Sequence, residues 1–121
     1  MSAPRDTASL AERLEQYGPI AHLVTVGVEG VPHVVSVRVE RRNGDLVMAA
    51  GRHTTANAAE RPAVTLLWAA PPGRHYSLIV DGTARSTPEP ALSTLAVTPT
   101  RAVLHRTADG DPSAPNCITL L

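Results

Sequence analysis

The chain has 121 residues, a formal net charge of zero and 43% hydrophobic residues. This length fits a single domain, and the balanced charge argues against a nucleic-acid or acidic-membrane partner. All eleven basic residues are arginine, which excludes Schiff-base chemistry because that chemistry needs a lysine amine. The only cysteine, Cys117, cannot form an intramolecular disulfide. A single cysteine is typical of a reducing compartment, so we expect a cytoplasmic protein. No apolar run is long enough to span a membrane.

The first half of the chain alternates turn signals with short apolar runs. Ser9 and Glu12 form a capping box at the start of a short helix, which Gly18 ends. Asn43-Gly44 is a strong hairpin signal because both residues accept a positive φ. The predicted strands of this half are residues 20–28, 31–42 and 46–50.

The second half predicts three further strands and an irregular end. Residues 63–69 are apolar on both faces, which favours a central strand. Residues 75–86 form the next strand, with a bulge at Asp81-Gly82, and residues 92–107 form one last strand bent at Pro99. Six strands and two short helices linked by turns predict a mainly β, antiparallel barrel.

The tail, residues 108–121, is rich in Asp, Pro and Gly at first and apolar at its end. We predict that residues 108–116 are irregular and that Ile118, Leu120 and Leu121 pack on the barrel or on a partner subunit. The sequence assigns no role to Cys117.

The best functional signal lies between the third and fourth predicted strands. Gly51 breaks the third strand, Thr54 or Thr55 is predicted to cap a short helix, and Pro62 ends that helix. Arg52, His53, Thr54, Thr55 and Asn57 gather at the helix start, where we expect them at the surface. Free backbone N–H groups, hydroxyls and a guanidinium suit a phosphate. The alternative is ordinary helix capping beside surface Arg and His side chains.

Several kinds of site are missing from the sequence. It contains no dinucleotide-binding or P-loop glycine motif, no nucleophile elbow and no metal-binding spacing among its five histidines. No pair of residues suggests acid–base or nucleophilic catalysis, so we assign no catalytic residue and no metal ligand. An enzyme of this sequence would depend on a cofactor for its chemistry.

The order of these elements resembles the pyridoxamine 5'-phosphate oxidase-like, FMN-binding split-barrel family. The resemblance covers residues 8–107 and is most specific in the polar turn, the Asn57 and Pro62 spacing, and the apolar strand that ends near Trp68. Residues 76–82 and 97–101 are also similar to family strands.

The resemblance implies a six-stranded antiparallel split-barrel domain over residues 8–107, a homodimer, and FMN bound at the subunit interface. It implies that the second strand contacts the flavin ring and that the polar turn binds the phosphate. Many members have Lys or Arg where this chain has Thr54, so Arg52 or His53 would supply the positive charge. The implied cofactor-binding residues are Val35, Ser36, Val37, Arg52, His53, Thr54, Thr55 and Asn57.

Three functions remain open from the sequence. The first is an FMN-dependent oxidoreductase acting on a small-molecule substrate. The second is a reductase that uses the deazaflavin coenzyme, which has a longer anionic tail. The third is a non-catalytic cofactor-binding or sensor module.

Overall fold

The structure is a computed structural model that describes residues 9–88, 93–107 and 113–121. In these residues the chain folds into one curled antiparallel sheet and two helices. The elements are α1 (Leu10–Tyr17), β1 (Ile20–Val26), β2 (Pro32–Arg38), β3 (Glu40–Arg42), β4 (Asp45–Ala49), α2 (Arg52–Glu60), β5 (Ala63–Trp68), β6 (Ser77–Thr87), β7 (Thr94–His105) and β8 (Cys117–Thr119). A short 3-10 turn, Val28–Gly30, joins β1 to β2.

The strands are arranged in the order β2-β1-β5-β6-β7-β4-β3. The first part of β7 pairs with β4, and its last part, residues 103–105, pairs with β8. Only Val39 separates β2 from β3, so one stretch of chain supplies both edges of the sheet. The Val39 N–H donates to the Pro19 carbonyl over 2.8 Å, outside the strand ladders. Because β2 and β3 end the strand order and are continuous in the chain, the sheet is curled so that its two edges come together at Val39.

This architecture confirms the predicted split barrel, but the number of strands differs. Six strands were predicted, and the described residues contain eight. One difference arises because the predicted strand over residues 31–42 divides at Val39, and its two parts pair with different neighbours. The other arises because Cys117–Thr119 pairs with β7 and forms β8.

The core lies on the concave face of the sheet and is aliphatic around one indole. Trp68 is buried, and its Nε1 donates to the Gly18 carbonyl over 3.0 Å, which joins β5 to the end of α1. Each large aliphatic side chain buried here contributes about 1.5–3 kcal/mol. The other large hydrophobic side chains with almost no exposure are Leu23, Leu46, Met48, Leu66, Leu78, Leu95, Val80 and Val97.

Two predicted backbone features are confirmed. Asn43 and Gly44 have φ of 52° and 86° and form the β3–β4 turn. The β6–β7 register shifts between Asp81 and Gly82. A Cβ at Gly82 would lie 2.6 Å from the Thr98 carbonyl oxygen, so the close approach of the two strands requires glycine there.

The predicted start of the second helix is wrong by several residues. The N-cap of α2 is Gly51 instead of Thr54 or Thr55, and the helix begins at Arg52. The threonines lie within the first turns because Thr54 packs into the interior and the Thr55 hydroxyl donates back to the Gly51 carbonyl over 2.9 Å. The helix ends at Glu60, in agreement with the stop predicted at Pro62.

The C-terminal end of the tail docks on the sheet, as predicted for Ile118 and Leu120, which pack against the core. The Leu120 N–H donates to the Ala102 carbonyl over 2.8 Å, whereas Leu121 stays half exposed. Residues 113–116 have no regular structure, and residues 108–112 lie outside the described residues. In the part of the chain that the structure describes, no helix has the length and apolar character needed to cross a membrane.

Candidate functional site

A cavity of about 460 Å³ opens where β2, the end of β4 and the start of α2 meet. Six of the eight predicted cofactor-binding residues line it, namely Val35, Ser36, Val37, Arg52, His53 and Thr54. The others that line it are His33, Ala49, Ala50 and Gly51. The fold therefore brings the second predicted strand and the predicted phosphate turn, which are separated in sequence, to one place.

The start of α2 presents unpaired backbone donors to this cavity. The first helical hydrogen bond runs from the Thr55 N–H to the Gly51 carbonyl over 2.9 Å, so the N–H groups of Arg52, His53 and Thr54 have no partner within the helix. Gly51 provides no side-chain cap, and nothing lies within 4 Å of the position that a Cβ would take there. This opening is suited to an anion.

The side chains around this opening differ in exposure. Arg52 and His53 are exposed, and in the described part of the chain no carboxylate forms an ion pair with the Arg52 guanidinium. Thr54 was expected at the surface, but it is only 2% exposed. Arg52 is thus the charged group available to an anion, while Thr54 forms part of the cavity floor.

His33 also lines the cavity and was not predicted as a site residue. Its imidazole stacks on that of His53, with ring centroids 4.7 Å apart and planes inclined by 11°. His33 lies two residues before Val35 and four before Val37, so all three share one face of β2. That alternation was the signal that could have identified it.

Two predicted site residues lie outside the cavity lining. The Thr55 hydroxyl is engaged by the Gly51 carbonyl. Asn57 is 5% exposed, and its Nδ2 donates to the Thr25 hydroxyl over 3.2 Å. Arg61 Nε donates to the Val26 carbonyl over 2.7 Å. Asn57 and Arg61 therefore hold α2 against β1, which fixes the helix start beside β2.

The arrangement fits a phosphorylated cofactor that has a flat apolar ring. The open helix start and Arg52 suit the phosphate, and Val35, Val37 and the alanines at the end of β4 form an apolar wall next to it. Over residues 9–88, 93–107 and 113–121, no three His, Cys, Asp or Glu side chains come together as a metal site.

Solved structures with the same architecture identify the fold. One is a Clostridium acetobutylicum protein described as belonging to the pyridoxinephosphate oxidase family, with a TM-score of 0.67, 12% identity and coverage of 90% of this chain and 89% of that one. Another is an F420 reductase, with a TM-score of 0.61, 21% identity and coverage of 75% and 94%. The chain therefore has the fold of the pyridoxamine 5'-phosphate oxidase-like, FMN-binding split-barrel family.

Other structures with this fold bind different groups. An FAD binding protein of Mycobacterium smegmatis matches with a TM-score of 0.58, 19% identity and coverage of 78% of this chain and 91% of that one. A heme binding protein of the same organism matches with a TM-score of 0.69, 14% identity and coverage of 98% and 60%. The fold alone does not select the cofactor.

Two relatives are much closer in sequence. Uncharacterised proteins of Mycobacterium bovis and Mycobacterium tuberculosis are each 36% identical to this chain over 129 aligned positions, covering 93% of the chain and 89% of each relative. The chain belongs to the same family as these two proteins. No family model matches the sequence.

Proposed function

We propose that the protein is an FMN-dependent oxidoreductase that acts on a small-molecule substrate. The observation that carries this proposal is the cavity in which the uncapped start of α2 and Arg52 lie next to the apolar face of β2. The similarity in fold to an F420 reductase and to an FAD binding protein supports a flavin-type cofactor.

In this proposal the chain binds and orients the cofactor. Arg52 and the N–H groups of the first turn of α2 bind the phosphate. Val35, Ser36 and Val37 lie along the flavin ring, and the His33–His53 stack borders the cavity. When bound, FMN supplies hydride or electron transfer, and we assign no acid–base residue of the protein to the reaction.

We also propose that the protein is a homodimer in which the second subunit covers this cavity. Three valines that precede or lie in β2, the strand that lines the cavity, are exposed: Val28, Val31 and Val34, with exposures of 76%, 58% and 57%. Neighbouring exposed apolar residues of this kind are typical of interfaces. Light scattering at micromolar concentration is expected to give the dimer mass, and Val34→Glu to give the monomer. A monomeric wild-type protein would contradict the proposal.

A second candidate is a reductase that uses the deazaflavin coenzyme. It is favoured by the F420 reductase among the similar structures and by the cavity's opening to solvent at the helix start, where a longer anionic tail has room. The non-catalytic binding module is the third possibility, and it has no observation of its own in the structure.

Titration of the purified apoprotein with FMN, FAD, deazaflavin coenzyme and hemin distinguishes these functions. We expect FMN to bind most tightly, and Arg52→Gln to weaken it by roughly tenfold to a hundredfold through loss of a charge-assisted hydrogen bond. The melting temperature should not change, because Arg52 is exposed. Arg42→Gln is the matched control, since Arg42 is exposed and, among the described residues, its ion pair is with Glu40 on its own strand.

The outcomes separate the candidates. Tight binding of the deazaflavin coenzyme alone would support the second candidate, and binding of none of the four would support the third. Undiminished FMN affinity in Arg52→Gln would place the phosphate elsewhere.

A further inference from the structure

A second cavity, of about 410 Å³, lies between the loop that precedes β6 and the end of β7, and it shares no lining residue with the first. Its lining is mostly charged and polar. Two guanidiniums, two imidazoles and two hydroxyls surround it, from Arg74, His75, Ser77, His105, Arg106 and Thr107.

The backbone around this cleft is well fixed. Ser77 on β6 is the direct partner of His105 on β7, so the two walls are hydrogen-bonded strands. The Arg74 N–H donates to the Pro71 carbonyl over 2.9 Å, which closes the turn before His75. The Arg106 N–H donates to the Asn116 carbonyl over 2.9 Å. The basic residues therefore project from a framework held by backbone hydrogen bonds.

Tyr76, which lies between the lining residues His75 and Ser77 in the sequence, connects this region to neighbouring segments. Its hydroxyl donates to the Pro115 carbonyl over 2.7 Å, and its own carbonyl accepts from the Tyr17 hydroxyl over 2.6 Å. The Arg106 guanidinium lies over the Tyr76 ring, 5.8 Å from its centroid. This contact restricts the guanidinium before any ligand arrives, which lowers the entropy lost on binding.

The lining of the cleft is rich in basic side chains and, among the described residues, has no carboxylate of its own. In the described part of the chain, no carboxylate forms an ion pair with the Arg74 guanidinium. Burial raises the pKa of the Tyr17 hydroxyl, and the positive charges of Arg13 and Arg74 oppose that rise.

We propose that this cleft binds an oxyanion, a phosphate or carboxylate group carried by a small molecule. The Arg74 guanidinium presents paired donors that match the oxygen spacing of both groups, and Ser77 and Thr107 add hydroxyl donors. The site does not depend on flavin binding, because its residues and those of the first cavity are different.

Nuclear magnetic resonance of the full-length protein tests the site with two probes, inorganic phosphate and acetate, each added against chloride at constant ionic strength. We expect saturable shifts of the Ser77, His105 and Thr107 amides. Stronger phosphate shifts would identify a phosphate group as the ligand, and stronger acetate shifts a carboxylate. Arg74→Gln should lower the affinity for whichever probe binds more tightly by about five- to tenfold, as expected for the loss of one charged donor. Arg42→Gln, an equal change of charge on β3, should leave binding unchanged.

Three results would overturn the proposal. The first is the absence of saturable shifts at these amides. The second is equal binding by wild type and Arg74→Gln. The third is shifts confined to Gly51–Thr54, which would assign the anion to the first cavity alone. Arg74 is exposed, so the variant is expected to fold, and a melting curve checks this.

The chain's own acidic residues require a separate variant. Asp109 and Asp111 follow Arg106 closely in the sequence and lie outside the described residues. The Asp109→Asn, Asp111→Asn double variant should bind the stronger probe at least as tightly as wild type. Binding by the double variant alone would show that the chain's own carboxylates occupy the cleft, and would overturn the proposal.

Discussion

The two helices of this protein are similar in length but differ at their first residue. α1 begins after Ser9, whose hydroxyl accepts the Glu12 N–H over 3.2 Å. α2 begins after Gly51, which has no side chain to do the same. The N-terminal donors of α1 are thus partly satisfied by its own sequence, whereas those of α2 are left to water or to a ligand.

This difference separates a helix end that supports the fold from one that is suited to binding. A glycine N-cap keeps the approach to the first-turn N–H groups open, at a cost of only a few tenths of a kcal/mol relative to serine. At α2 the opening faces a cavity with an arginine beside it and an apolar wall behind it. The start of α1, by contrast, has Glu12 in its first turn, which repels anions.

The largest effect is expected from breaking the buried side of α2. Thr54→Glu places a carboxylate where the side chain is 2% exposed, and we expect it to lower the free energy of unfolding by about 2–3 kcal/mol. Ala56→Glu is the control, because Ala56 is exposed on the same helix and should change stability by less than about 0.5 kcal/mol. Urea unfolding measures both; equal, small effects would show that Thr54 faces water.

A smaller loss is expected from Asn57→Ala, which removes the hydrogen bond between α2 and β1. The variant leaves the Thr25 hydroxyl buried without this donor, which costs about 1–3 kcal/mol. If Asn57 acts only through the position of α2, FMN affinity should fall less than in Arg52→Gln. Near-complete loss of FMN binding in a stably folded Asn57→Ala would instead assign Asn57 to the cofactor.

The contrast between the helices also shows how far the sequence could be used. The capping box of α1 predicted its start because Ser9 and Glu12 are local partners. At α2 the same reasoning selected Thr54 or Thr55, since threonine is a good cap and glycine a weaker signal. Tertiary packing decided the result: Thr54 and Asn57 are buried against the sheet, and the helix starts earlier as a consequence.

The site was predictable in part for similar physical reasons. The resemblance placed Val35 and Arg52 in one site, and the cavity brings them together. His33 was missed because its stack with His53 joins two elements that are distant in sequence. The second cavity was missed because Arg74 and Arg106 meet only through the pairing of β6 with β7.

Removing the cap of α1 should cost less than disturbing the buried face of α2. Ser9→Ala is expected to lower the free energy of unfolding by about 1 kcal/mol, because the Glu12 N–H loses its acceptor. FMN affinity should not change, since Ser9 does not line the proposed cofactor cavity. Chemical unfolding and flavin titration of one preparation test both statements. A fall in FMN affinity equal to that of Arg52→Gln would contradict the separation of the two helix ends.

Giving α2 a serine N-cap like that of α1 should change stability least. It is also the sharpest test of the difference between the two helix starts. Gly51 has an ordinary φ of −70°, and no atom lies within 4 Å of the position that a Cβ would take, so serine fits without strain. Gly51→Ser is expected to raise the free energy of unfolding by a few tenths of a kcal/mol, because its hydroxyl can accept a first-turn N–H. The same hydroxyl then competes with the phosphate for that donor.

We therefore expect FMN to bind Gly51→Ser several-fold more weakly than wild type, although the apoprotein is slightly more stable. The loss of part of one hydrogen bond costs about 1 kcal/mol, which corresponds to that change in affinity. Gly51→Ala is the matched control: it adds the same Cβ without an acceptor, so its FMN affinity should stay closer to wild type. Opposite changes in stability and affinity for serine alone can arise only if the ligand uses the donors that the cap takes. If serine and alanine weaken FMN equally, the cause is the added bulk, and the open helix start is not the phosphate site.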